Sequence, residues 1–570
     1  MDSIELLKIV KNLKGFSFLK ELEKSEFPSK KWNLDYGFSG NVEINGIKTT
    51  LIIIAFNKHY PYNKPIFFLK DYNALGFIPH VENDGYICYT EDNIILNSKV
   101  PKEILEQTTQ LVLDTLEKGF NKDNSNDFVE EFEDYWNRNQ LILDTKLISP
   151  FRPTDEVQLI RKAKIGGKIV IGVDDKAIVE TATRFHTSRR PNKALFRNCI
   201  YIPLEKPLLP PNYNEFWNSN ELKSKIFEKV SIKNLEKLNE LLDKYHKIKK
   251  DELIIISQPK SNGLTLYGVI YKGLNVDKHP LVMNDSSFNI KPVDLIRLEK
   301  EIIQPRGGGE ISLNSKNVLL VGCGSVGSIL ATELIKFGID KITVVDNDFI
   351  SIDNIYRHQL GLNYLAKNKA EAMSEFVEQN YPYTTIKPLN SPIENFLSNN
   401  AIDLQDYDLI ISATGSPNTN FYLNNFLKNN NIKTPIIYCW NEPYGIGGHC
   451  LLVQNESSCY NCLYDKYLAN TGSFCLPGQH FLKKIAGCSS SFVPFSSLDS
   501  HKTAILTLDT IKGFFKGNIS NNPYLSWKGD SKEFINAGFK ISNRFDLTDR
   551  ELYESRYEYF DSTCPICRIK

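Results

Sequence analysis

Charge of one sign is not in excess in this chain of 570 residues: Lys plus Arg number 68, and so do Asp plus Glu. Nothing in that balance draws the chain to a polyanion such as nucleic acid or to an anionic membrane surface. Long apolar runs are missing as well. The longest, such as 51–56 and 318–321, are strand-length and fall well short of the roughly 20 residues that span a bilayer, so no membrane partner is expected. The N-terminus mixes charge with apolar residues at helical spacing and has no apolar core followed by a small-residue cleavage site, so no export signal is expected either. Gly and Pro do not dominate, and an apolar content of 41% with 11% aromatics excludes a disordered chain. At about 150 residues per domain the length predicts three or four domains. Eleven cysteines, an odd number without an export signal, predict a reducing compartment, the cytoplasm, in which thiols serve as metal ligands or nucleophiles.

Three regions emerge along the chain. Residues 1–145 read as an α+β unit: an amphipathic helix over the first 24 residues, a hairpin around Asn45-Gly46, a short strand at 65–69, an irregular stretch carrying Cys88, and helices at 102–119 and 128–136. Residues 146–300 read as a mixed α/β linker domain, with a strand at 169–173, helix over most of 215–250 and a hairpin centred on 260–263. No chemical motif stands out there. Residues 301–570 alternate strand runs (317–321, 342–345, 409–412, 435–439) with helical patterns, which predicts a mostly parallel Rossmann-like sheet covered on both faces, with nucleotide chemistry at its strand ends.

The third region carries the sharpest motif. Gly322, Gly324 and Gly327 lead from a buried strand into a helix, where backbone N–H groups can approach phosphate. The next strand ends in Asp346, placed for a ribose hydroxyl. Taken alone, the glycines suit NAD, FAD or ATP. The polar string from Asp346 through Asp348, Asn354, Arg357 and His358, followed by Lys369, tips the balance to ATP, because a free triphosphate tail needs fixed cations that a dinucleotide does not. An NAD oxidoreductase would leave Arg357 and Lys369 unexplained.

Two CxxC pairs, Cys459/Cys462 and Cys564/Cys567, offer four thiolates that satisfy tetrahedral Zn²⁺ with no open position, so a structural rather than a catalytic site is expected. Cys488 lies in a small, polar stretch preceding a helix, where a thiolate would be exposed. Cys475 is its competitor. Cys199, Cys323, Cys439 and Cys450 lie in or beside apolar runs and read as packing residues.

GCGSVGS, VVDNDFISIDNIYRHQ and KNKAEA together resemble the ThiF-type adenylation domain shared by ubiquitin-activating enzymes and the bacterial enzymes that adenylate sulfur carriers. The resemblance implies that Asp346 contacts ribose, that Asn354 and Arg357 hold phosphates, that Lys369 stabilises transition-state charge, and that Arg306 is donated across a homodimer. It also implies a reactive cysteine at Cys488. The chain departs from the family where an acidic residue for Mg²⁺ is common: it reads Gly415, which leaves the metal to Asp348 and the phosphates. The YP-x-x-x-P turn at 60–65, His80 and G-x-I-C ending at Cys88 resemble the active-site loop of ubiquitin-conjugating enzymes, without the family's H-P-N tripeptide. His80 therefore reads as a loop-structuring residue, and Asn83 is the position that could replace the missing asparagine.

A conjugating-like domain, a linker and an activating-like domain in this order resemble the bacterial fusion enzymes of the CBASS anti-phage system. That resemblance implies ATP-dependent adenylation of a partner protein's C-terminal carboxylate, capture on Cys488, transfer to Cys88 and conjugation to an acceptor lysine. The implied partner is a cGAS-like nucleotidyltransferase. A sulfur-carrier adenylyltransferase and a nucleotide-binding scaffold without turnover are the alternatives.

Overall fold

The first 24 residues part company with the single helix expected of them. In the computed structural model, which describes residues 3–28, 32–91, 94–165, 167–184, 196–244, 247–484 and 491–567, helix α1 covers only Ser3–Val10. Gly15, at φ 88°, turns the chain, and the aromatic-rich Phe16–Glu21 becomes strand β1, antiparallel to β2 (Tyr36–Ile44). Gly40 on β2 leaves the room that the side chains of Phe16 and Leu19 fill. Asn45 and Gly46, both at positive φ, turn β2 into β3 (Ile47–Phe56), and β4 (Ile66–Leu69) completes a four-stranded antiparallel sheet. Helix α2 (Pro101–Asn121), opened by proline at its first turn, buries Ile104, Leu105, Val112 and Leu116 in the core that Phe38, Ile52 and Ile54 share. Short helices α3 (Asp127–Glu130) and α4 (Phe132–Asn137) follow.

The linker region is a closed barrel. Strands β5 (Leu143–Ser149), β6 (Gln158–Ile165) and β7 (Lys168–Gly172) precede helix α5 (Asp175–Arg184) and β8 (Arg197–Pro203). Helices α6 (Ser219–Lys229) and α7 (Ile232–Leu242) follow, then β9 (Glu252–Lys260), β10 (Gly263–Tyr271) and β11 (Ile290–Arg297). The ring runs β10-β11-β5-β7-β6-β8-β9. Strand β5 crosses the 145/146 boundary drawn from sequence, and residues 1–299 form one compact unit. The coupling is visible in side chains. Trp136 of α4, almost fully buried, donates from Nε1 to the carbonyl of Val293 at 3.3 Å. Arg297 at the end of β11 donates to Glu133 at 2.7 Å, to the carbonyl of Leu264 at 2.6 Å and to Glu299 at 3.2 Å.

The second unit, residues 300–570, opens with α8 (Lys300–Arg306) and β12 (Asn317–Val321). It continues through α9 (Ser325–Phe337), β13 (Lys341–Val345), α10 (Lys369–Asn380), β14 (Thr385–Leu389) and α11 (Ile393–Ser398). Next come β15 (Leu409–Ser412), α12 (Pro417–Asn429), β16 (Ile436–Asn441) and β17 (Gly447–Val453). A two-residue ribbon of β18 (Lys483–Lys484) and β19 (Ser491–Phe492), helix α13 (Ser497–Phe515) and β20 (Tyr524–Lys528) follow. The sheet order is β14-β13-β12-β15-β16-β17-β20; the first five strands are parallel, and β17 and β20 run antiparallel. Both faces are covered, as the apolar strand runs predict. Val318 and Leu320 face a core shared with α9, α10 and α13, while Leu319 and Val321 face one shared with α11 and α12. The chain leaves β12 toward β13 on one side and later returns to β15 on the other, so a crevice opens at the carboxyl ends of β12, β13 and β15. Among the described residues, no helix is long and apolar enough to cross a membrane.

Burial raises the pKa of Glu299 even with Arg297 beside it. Arg297→Ala strands that buried carboxylate, so it is expected to lower the unfolding free energy by about 3–5 kcal/mol. Adding Glu299→Gln recovers part of the loss, and urea denaturation followed by tryptophan fluorescence measures both.

Candidate active sites

Gly322 leaves β12 at φ 93°, where a Cβ would press on the backbone of Ala413 and Thr414 at 2.8 Å. Gly324 caps the N-terminus of α9 and has open space on its Cα. Gly327 packs the first turn of α9 against the carbonyl oxygen of Gly322, so its role is close backbone approach. Gly322 and Gly324 line a cavity of about 400 Å³ at the switch point; Gly327 does not line it.

Asp346, Asp348 and Lys369 line the same cavity. The half-buried Asp346 carboxylate accepts from the amide of Cys323 at 2.6 Å with one oxygen and from the amide of Asp348 at 2.8 Å with the other. Burial raises its pKa, against the pull of Lys369 and these amides. Each oxygen keeps acceptor capacity for a ligand hydroxyl. Lys369, buried at the head of α10, is 2.9 Å from Asp348. Asn368 aligns the set: its Oδ1 accepts from the amides of Ala370 and Glu371, and its Nδ2 donates to the carbonyls of Asp346 at 2.8 Å and Asp348 at 3.1 Å. His358 does the same for the glycine turn. Its Nδ1 accepts from the amide of Leu360 at 3.0 Å, so the proton sits on Nε2, 2.7 Å from the carbonyl of Cys323. Burial pushes its pKa down to about 4, and it is a neutral strut.

Asn354, Arg357 and Arg306 do not line this cavity. Asn354 accepts from the amide and hydroxyl of Ser351 at 3.1 Å, and the Arg357 guanidinium lies 5.2 Å from the ring centre of Phe495. Arg306 is exposed at the end of α8. Gly415, at φ 68°, has no neighbour within 4 Å of its Cβ position. Sequence reasoning missed Asn368, Thr414 and Glu394, of which the last two line the cavity; only the helix-capping position of Asn368 before an apolar run offered a signal.

In the first unit Cys88 is exposed, and its amide donates to the carbonyl of His80 at 2.8 Å. His80 sits at φ 63°, with its ring Nε2 2.9 Å from Asp127 and its amide donating to the Tyr135 hydroxyl at 2.8 Å. Asn83 donates to the carbonyl of Arg138 at 3.2 Å. The Tyr213 hydroxyl, from the barrel region, donates to the carbonyl of Val81 at 3.0 Å beneath the loop. The loop is thus braced by Asp127, Tyr135 and Tyr213, three residues too far along the chain for spacing to reveal.

The four CxxC sulfurs converge within 4.8 Å, with Cys459 to Cys564 at 3.8 Å and Cys462 to Cys567 at 3.5 Å. A tetrahedron with Zn–S bonds of about 2.3 Å has edges of about 3.8 Å, so the donor set fits a closed zinc site. Cys488 lies outside the described residues. Cys475 is buried, and burial raises its pKa. Cys199, Cys323, Cys439 and Cys450 are all buried, with burial pushing Cys199 up to about 12 and Cys450 to about 11.

The chain thus joins a doubly wound nucleotide-binding architecture to an antiparallel sheet that presents an exposed cysteine. Residues 302–489 match the ThiF family, and residues 22–142 match prokaryotic E2 family B. Among curated relatives, the ATP-dependent ubiquitin transferase-like protein Cap2 of Pseudomonas aeruginosa is 31% identical over 281 residues, 46% of this chain and 49% of that protein. The adenylyltransferase and sulfurtransferase UBA4 of Scheffersomyces stipitis is 25% identical over 259 residues, 44% of this chain and 54% of that one. These matches span about half the length of either relative. Escherichia coli MccB solved with ATP is 17% identical, with a TM-score of 0.31, over 45% of this chain and 68% of that one.

Gly327→Ala drives a methyl group into the Gly322 carbonyl and is expected to cost about 1–3 kcal/mol. Gly324→Ala, which meets open space, is expected to cost under about 1 kcal/mol. Thermal melting of the two variants side by side tests whether the glycines divide between packing and ligand approach.

Proposed function

We propose that this chain adenylates the C-terminal carboxylate of a partner protein and passes the acyl group through thioesters to an amine. The observation that carries this reading is a single switch-point cavity bringing together the glycine turn, Asp346 and the Asp348–Lys369 pair. A carboxylate at neutral pH is a poor electrophile because it would have to expel oxide. Attack of its oxygen on the α-phosphate of ATP breaks the bond to the β-phosphate, releases pyrophosphate and leaves AMP as a good leaving group. A thiolate then attacks the acyl carbon and AMP departs; a second thiolate takes the acyl group by exchange, and an amine, the acceptor lysine, finally expels that thiolate to form an amide.

In this scheme Gly322 and Gly324 give backbone N–H groups to phosphate, Asp346 takes the ribose hydroxyls, and Lys369 turns from Asp348 toward the developing charge. Mg²⁺ would be held by Asp348 and the phosphates, and would supply charge neutralisation at the leaving pyrophosphate. Asn354 and Arg357 join through closure of the 351–358 loop over bound nucleotide, and Arg306 through a second copy of the chain in a homodimer. Cys488 captures the acyl group and the exposed Cys88 receives it. Residue resemblance supports a cGAS-like nucleotidyltransferase as the partner and anti-phage defence in the cytoplasm as the setting; the printed name of the Pseudomonas relative supports ubiquitin-like transfer. The four CxxC thiols would hold Zn²⁺ as a structural tie. The likeness to UBA4 favours a second reading, sulfur-carrier adenylation, in which Cys88 is dispensable.

Non-reducing electrophoresis with ATP and the partner protein tests the order. Cys88→Ala is expected still to load at Cys488, and Cys488→Ala to load at neither thiol; loading of Cys88 in the absence of Cys488 overturns the order. Lys369→Ala is expected to lower ATP–pyrophosphate exchange at least about 100-fold, and a scaffold without turnover would show no exchange in the unaltered chain. For the metal, elemental analysis is expected to find about one zinc per chain, lost with a fall in melting temperature in Cys564→Ser. Full metal content in that variant would place the zinc elsewhere.

A further inference from the structure

The barrel of residues 143–297 has a second cavity, unrelated to the nucleotide site and independent of the adenylation reading. Strand alternation directs Ile160, Cys199, Leu253, Ile270 and Val293 into one shared apolar interior. Continuing that alternation to one end of the ring brings Lys162 and Lys164 on β6, Arg197 on β8, Asp251 just before β9 and Lys272 just after β10 to the mouth. These five residues and an aliphatic floor that includes Leu253, Ile270 and Val293 line a cavity of about 340 Å³. Barrel mouths are common ligand sites, and this volume lies at the small end of the range for small-molecule pockets.

The charges at the mouth do not balance. Asp251 is paired with Lys272, and Lys162 lies 4.0 Å from the buried Glu252, at the outer limit of an ion pair. Among the described residues the side chains of Lys164 and Arg197 make no hydrogen bond and no ion pair within 4.0 Å, although the charge of Arg197 reaches Glu252 and opposes the rise that burial gives its pKa. Two cations without a close ion-pair partner among the described residues, over an aliphatic floor, suit a ligand with a hydrocarbon body and an anionic head. The named lining residues include neither an aromatic ring nor a side-chain amide, so a nucleobase would find nothing to stack on and nothing to read its edge. A single carboxylate, with about four acceptor sites on its two oxygens, suits one lysine and one arginine fork.

We propose that the barrel mouth binds an aliphatic carboxylate, its head on Arg197 and Lys164 and its alkyl part on Leu253, Ile270 and Val293. The carboxylate could belong to a free aliphatic acid or to a peptide chain ending in an aliphatic residue, and the experiment separates the two. The full chain is titrated calorimetrically with sodium octanoate, with the peptide Gly-Ser-Gly-Ser-Leu as its free acid, and with the same peptide amidated. Octanoate binding without the peptide assigns free acids; binding of the peptide acid that amidation removes assigns a chain terminus. In either case Arg197→Gln and Lys164→Gln are each expected to weaken binding at least about tenfold, the scale of one charge-assisted hydrogen bond. Both side chains stand at an exposed rim, and an unchanged melting temperature verifies that the variants fold. Binding of neither probe, equal binding of the amidated peptide, or losses smaller than tenfold in both variants overturns the proposal.

Discussion

Two backbone amides converge on one half-buried carboxylate, Asp346, and much of the second unit's site follows from that convergence. The amide of Cys323 comes from the glycine turn and the amide of Asp348 from the loop beyond β13, so a single side chain ties the end of one strand to the end of its neighbour. A carboxylate partly withdrawn from water loses hydration that such donors replace; with them it is held in one orientation. Asn368 extends the tie to α10, and His358 fastens the glycine turn from the far side. The cavity is therefore preorganised by backbone groups, and Asp346, Asp348, Lys369 and Glu394 are charged side chains that line it.

The first unit solves a different problem. A conjugating-like sheet with short helices has to present a cysteine on an irregular loop, and such loops hold a shape only when their backbone groups find partners. Here the partners come from three places: α3 through Asp127, α4 through Tyr135, and the barrel region through Tyr213. The buried Arg297 cluster and Trp136 make the barrel and the helices one body. The region read as a linker is thus part of the support for the Cys88 loop.

The cysteines divide by environment as physical chemistry requires. Four buried thiols, at positions 199, 323, 439 and 450, are kept protonated by desolvation and serve as small apolar groups. Four converge at metal-binding distances, although the two pairs lie about a hundred residues apart in sequence. Cys88 faces solvent. Cys475 is buried, and burial raises its pKa, which disfavours a reactive thiolate there.

Sequence alone determined the elements whose signal is local. The Asn45-Gly46 turn, the parallel strands with apolar residues on both faces, the glycine turn followed by Asp346, and the two CxxC pairs all rest on neighbouring residues whose sterics, periodicity or ligand chemistry admit few alternatives. What depended on distant contacts was not legible. Phe16–Glu21 became a strand because β2 offered it a ladder and Gly40 offered it room; seven strands closed into a ring because their inward residues fill one another's space. Where the side chains of Asn354 and Arg357 lie, beside Ser351 and Phe495, was likewise not legible, since a motif fixes order along the chain and leaves side-chain direction to packing. The charged barrel mouth had no motif at all: its lysines and arginine come from strands far apart in sequence, and only closure of the barrel set them around a common space.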